Sequence, residues 1–128
     1  MSTSNWRGVV ALQRTWTGDG RRVEKITHRD LPLPLLLKPD PKSNEHVGSK
    51  IVGRIDAIEY DGDLLRASGI VENVEDLPPG PLGLEADMDQ MSPPEETPEG
   101  MLTAEARLVA AHIGQTPAWS QCGFEVLP

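Results

Sequence analysis

The stretch from Ile51 to Val71 constrains the fold more than any other part of the chain. Ile51–Tyr60 alternates apolar and polar residues, Asp61-Gly62-Asp63 interrupts, and Leu64–Val71 resumes the pattern. Period-two alternation sends one set of side chains to a buried face and the other to water. Asp-Gly between two such runs signals a hairpin, because glycine supplies the positive φ that the turn needs. Further strands are expected at Arg7–Leu12, across Leu35-Leu36-Leu37 and at Gly123–Leu127.

Proline limits what the rest can be. Pro78, Pro79, Pro81, Pro93, Pro94 and Pro98 fall with Gly80, Gly83 and Gly100 between residues 72 and 100. Proline neither donates to a sheet ladder nor continues a helix, so this segment should be mostly loop, with at most one short strand near Leu82–Met91. A second set, Pro32, Pro34, Pro39 and Pro41, frames the Leu35–Leu37 strand with turns. Thr103–Ile113 is ambiguous: its Ala, Glu, Arg and Leu favour a helix, but Thr103 has no Glu or Gln three residues later to complete a capping box. Short strands joined by Pro/Gly turns, with few or no long helices, predict a mostly β fold, a small barrel or sandwich. The 128 residues fit one domain, with an extended N-terminal arm at about 1–7 and the Pro-rich acidic loop at about 72–100.

The net charge of −8 is unevenly placed. Residues 1–66 carry 11 Lys/Arg against 9 Asp/Glu, residues 67–106 none against 10, and residues 107–128 one against one. Gripping a phosphate backbone depends on Lys and Arg, so nucleic acid is not expected as a partner. The single cysteine, Cys122, permits no intramolecular disulfide. No apolar run is long enough to span a bilayer, and Met1–Arg7 lacks the apolar core of a signal peptide, so neither a membrane nor secretion is expected.

Chemistry-bearing residues are scattered. His28, His46 and His112, with Ser49, Ser68, Ser92 and Ser120, could furnish a hydrolase, but no Gly-x-Ser-x-Gly elbow assembles them. Glu85, Asp87 and Asp89 alternate and would share one strand face, yet they lack the glycine and distal glutamate of a calcium loop, so no metal is expected. No phosphate-binding loop is present either, and no cofactor is expected. Of the five aromatic residues three are tryptophans, Trp6, Trp16 and Trp119. Tryptophan suits both cores and protein interfaces, where its N–H must find a partner.

Four blocks, taken in order, resemble the capsid maturation (prohead) proteases of tailed bacteriophages. They are Trp16–Gly20 with Ile26–Leu36, His46–Asp56, Gly83-Leu-Glu-Ala-Asp-Met-Asp89, and Ala106–Trp119. The resemblance implies a β-barrel related to herpesvirus assembly proteases, and with it a strand rather than a helix at Thr103–Ile113. It also implies where a catalytic site would lie. The family's third block carries its nucleophilic serine where this chain has Glu85. Its histidine follows the Leu-Leu string, where this chain has Lys38, or matches His46. A carboxylate cannot perform the serine's acyl transfer, so the expectation is a pseudo-protease with no catalytic residues.

The function expected from this resemblance is that of a non-enzymatic virion protein. It would be made in the host bacterial cytoplasm and bind the major capsid protein on the capsid exterior as a minor capsid or decoration protein, possible homo-oligomers included. Trp6, Trp16 and Trp119, with the N-terminal arm, are the expected interface anchors. The alternatives are an active maturation protease, using Ser49 or Ser92 with His46 or His112, and a transient assembly chaperone.

Overall fold

A computed structural model describes residues 3–37, 52–77, 79–114 and 117–128. Among the described residues there are nine strands: β1 Thr3–Leu12, β2 Arg21–His28, β3 Leu33–Leu37, β4 Val52–Asp61, β5 Leu64–Glu72, β6 Leu82–Gln90, β7 Glu95–Thr97, β8 Gly100–Gly114 and β9 Gly123–Val126. Seven of them close a barrel in the order β8-β3-β4-β5-β1-β9-β6 and back to β8. β2 and β7 lie outside that ring, each paired with β8. The expected mostly β barrel is therefore the fold, and the described residues contain only one short 3-10 turn, Val74–Asp76, in place of helices.

The hairpin forms where its alternation placed it. β4 and β5 pair from Gly53↔Val71 to Asp61↔Leu64 around a two-residue loop. Gly62 opens that loop at φ 59°, the left-handed region that glycine enters at no steric cost. Leu65, Ala67 and Val71 of β5 point inward to meet Ile55 of β4, and Trp6, Val10 and Leu12 of β1 complete this side of the core.

β8 organises the other side. Its first half runs parallel to β2, its second half runs parallel to β3, and β6 pairs antiparallel with it from Gly83 to Gln90. Ala106, Leu108, Ala111 and Ile113 from β8 join Ile26, Leu33, Leu35 and Leu84 in one buried cluster. Thr103–Ile113 is thus strand, and burial between neighbours on both edges overrides its helical composition.

Three expectations need correction. The segment near Leu82–Met91 forms a nine-residue barrel strand, not a short one, because the prolines of the 72–100 region fall outside it and leave its ladder intact. β7 and its turn add a second strand within the same region. The N-terminal arm is not free from residue 3 onward: Thr3–Arg7 pair with Glu72–Ser68 as the first half of β1. β2, which the alternation did not mark, is held on its outer side by non-strand groups. The Ile26 N–H donates to the Gln13 Oε1 at 2.8 Å, and the Arg14 N–H donates to the Val23 carbonyl at 2.8 Å.

Candidate functional site

The face where the resemblance places a catalytic centre is built by β6 and β8. Along β6, Leu84, Ala86 and Met88 face the core, so Glu85, Asp87 and Asp89 share the outer face, as their spacing requires. Glu85 stands opposite His112 in antiparallel register. The His112 ring meets Asp87 diagonally, with Nε2 2.5 Å from Oδ2. On the other edge of β8, His112 is level with Leu36 of β3. The fold therefore brings Glu85 and the end of the Leu35–Leu37 string to one face. Lys38, His46 and Ser49 lie outside the described residues.

Glu85 is half-buried and makes no ion pair among the described residues. His112, named in the sequence as one of three histidines and as a base for the alternative protease with Ser49 or Ser92, is the side chain that the register adds to this face. Its signal was available once Thr103–Ile113 was taken as strand, since His112 then falls on the face opposite Ala111 and Ile113.

Ser92 does not join His112. Its Oγ accepts the Glu105 N–H at 3.1 Å, and Glu105 is seven residues from His112 along one strand, about 20 Å at strand rise. Ser120 donates to the Gln121 Oε1 at 3.3 Å. Ser68 stands opposite Arg7 on the far side of the barrel, and His28 donates from Nδ1 to the Arg29 carbonyl at 2.8 Å while stacking on Tyr60. Among the described residues, no three His, Cys, Asp or Glu side chains converge as metal ligands.

Two of the three expected interface anchors are core residues. Trp6 is 0% exposed, its ring centroid lies 5.4 Å from that of Phe124, and its Nε1 donates to the Arg54 carbonyl at 3.3 Å. Trp119 is 5% exposed and donates from Nε1 to the Thr15 carbonyl at 2.8 Å. Each indole is thus buried with its one polar group satisfied, which leaves nothing to offer a partner. Trp16 remains half-buried at the surface, with the Arg22 guanidinium 5.8 Å from its ring centroid. Cys122 is buried beside Trp119, and burial pushes its thiol up to about 12.

Beside the outer face lies a groove of about 780 Å³. One wall is β6, the floor includes Val23, Thr103 and Ala106, and the far wall is Thr17–Asp19 with Pro117–Trp119. The Thr17 hydroxyl donates to Asp19, and with Arg21 it holds that carboxyl below its ordinary value of 3.8. Arg21 and Arg22 are both engaged, by Asp19 at 3.1 Å and by Glu24 at 2.6 Å. Among the described residues lining the groove, Glu85 is an acid with no ion pair, and Asp87 is partnered by the His112 ring. In comparisons with known proteins, no family model, no curated protein and no solved structure matches the chain.

Proposed function

We propose that the protein is a non-enzymatic bacteriophage virion protein that binds the outside of the capsid shell on a protease-like barrel. Glu85 carries this reading. Where the resembling family keeps its serine, this chain sets a carboxylate opposite His112, and His112 is itself engaged by Asp87. A carboxylate has no hydroxyl proton for a histidine to remove, and losing the nucleophile of a serine protease costs on the order of a million-fold in turnover. A barrel without that group keeps its surfaces and loses its reaction.

What such a protein needs is an interface with an apolar centre and a polar rim. With Trp6 and Trp119 in the core, the exposed large apolar side chains among the described residues are Leu31, Leu36, Tyr60, Met91 and Met101. Met101 lines the groove, and Met91 lies just past the end of β6, within the stretch that holds ten acids and no bases. Carboxylates at that density suit a basic patch of the major capsid protein and are repelled by packed DNA, which favours the capsid exterior.

Quantitative mass spectrometry of purified mature particles tests the reading. A fixed ratio to the major capsid protein is the expected result, and absence from particles would redirect the search to a transient chaperone or a protease. A serine-directed fluorophosphonate should leave the chain unlabelled. Labelling abolished by a single Ser→Ala change would overturn the non-enzymatic half of the proposal.

A further inference from the structure

β6 is paired along one edge and almost bare along the other. It pairs with β8 from Gly83 to Gln90, but with β9 only at Leu82 and Gly83. Alternate residues of an antiparallel strand turn their N–H and C=O to the same edge. The Leu84 N–H donates to Cys122 on the β9 side, and the Met91 N–H donates to Glu105 on the β8 side. Ala86, Met88 and Gln90 therefore turn their backbone groups away from β8, and no strand among the described residues pairs with them. All three line the groove. A row of unpaired groups of this kind is a template for an added strand.

A second observation also points to a ligand. Thr103, on the groove floor, is only 6% exposed, and its hydroxyl has no hydrogen-bond partner among the described residues. Every fully buried side-chain polar atom among the described residues has a partner, so the Thr103 hydroxyl is not sealed in the interior but reaches the groove, where a bound group could meet it.

We infer that the free edge of β6 docks an extended peptide in which basic and apolar residues alternate, added to the barrel as a further strand. The alternation follows from the faces of β6. Ala86 and Met88 pack toward the core, so the inward residues of the added strand lie beside them and Val23 and should be apolar. Glu85, Asp87 and Asp89 point outward, so its outward residues lie across from carboxylates and should be Lys or Arg. Neither Glu85 nor Asp89 has an ion pair among the described residues; Arg107 stands opposite Asp89 across the β6–β8 ladder but donates to the Met91 Sδ at 3.4 Å, so Glu85 is the carboxylate with no Lys or Arg across from it. The inference deepens the capsid-binding reading by naming the chemistry of the bound segment.

Fluorescence polarisation on the full chain at low salt tests it, with a labelled Lys-Val-Lys-Val-Lys-Val-Lys peptide. Binding should weaken at least 10-fold for the Glu-for-Lys peptide and for a peptide N-methylated at alternate residues, which cannot donate to β6. Met88→Pro should weaken it comparably, because it removes an N–H that faces the groove and leaves the β8 ladder whole. Should Met88→Pro not fold by circular dichroism, Glu85→Lys with Asp89→Lys, on the outer face, serves as the second variant, with the same loss expected. No binding of the parent peptide, or equal binding of the methylated one, would overturn the inference. So would sedimentation showing a dimer that Met88→Pro dissolves, since the occupant would then be a second copy of the chain. Peptide binding by a chain absent from particles would sink the virion reading alone, and particles carrying a chain that ignores the peptide would sink the groove alone.

Discussion

Glu85 and His112 face each other across the β6–β8 ladder, yet the imidazole is bonded to Asp87 one position diagonally away. The His112 and Asp87 side chains are 27% and 50% exposed, which places the pair in solvent-screened territory. A double-mutant cycle of His112→Ala and Asp87→Ala, read by urea unfolding, should give a coupling of about 0.5–1 kcal/mol. It should shrink as salt is raised. A coupling that salt leaves unchanged would refute the screened-pair description.

The tryptophans divide by role. Trp6 fills the core with its indole N–H on the Arg54 carbonyl, so Trp6→Ala should cost about 3–5 kcal/mol. Trp16 is half-buried under Arg22, and Trp16→Ala should cost no more than about 1.5 kcal/mol. Denaturant midpoints of the two variants decide this, and equal losses would count against placing Trp6 in the core and Trp16 at the surface.

Legibility in the sequence followed the strength of the local pattern. The β4–β5 hairpin could be read because alternation and Asp-Gly agree there. β8 could not be read from its residues: Ala104–Arg107 look helical, and only the neighbours β2, β3 and β6, distant in sequence, make the segment a strand. β2 escaped notice because Arg21-Arg22-Val23-Glu24-Lys25-Ile26 buries Val23 and Ile26, three apart, which is not the period of a flat strand. The site was half legible. The position of Glu85 came from its block, whereas His112 and the bare edge of β6 depend on register, which composition does not encode. Trp6 and Trp119 were expected at an interface and lie in the core, because residue type alone does not separate a core indole from an interface one.

Among the glycines of the described residues, Gly69 has the least room for a side chain. A Cβ there would lie 1.9 Å from the Arg54 carbonyl oxygen, the same oxygen that accepts the Trp6 indole N–H. Gly69→Ala must push β4 away and stretch that hydrogen bond, so a loss of about 3 kcal/mol or more is expected. Gly18→Ala, where a Cβ meets nothing within 4 Å, should change stability by no more than about 0.5 kcal/mol. Comparable melting temperatures for the two variants would contradict this account of the β4–β5 contact.

Cys122 should make the protein sensitive to alkali. Burial raises its thiol from an ordinary 9.0 to about 12, so the folded chain holds that proton more tightly than the unfolded one. The resulting stability is fully present below pH 9 and is lost as pH rises toward 12. At pH 10 the loss should reach about 1 kcal/mol. Tyr60, whose hydroxyl donates to the Ile26 carbonyl at 2.9 Å and is also raised by burial, adds a loss of the same sign at higher pH. Urea unfolding of the parent and of Cys122→Ala at pH 8, 9 and 10 separates the two groups, because only the parent carries the thiol contribution. The parent should lose more stability across that interval than the variant, and parallel declines would mean that the thiol ionises without unfolding the barrel.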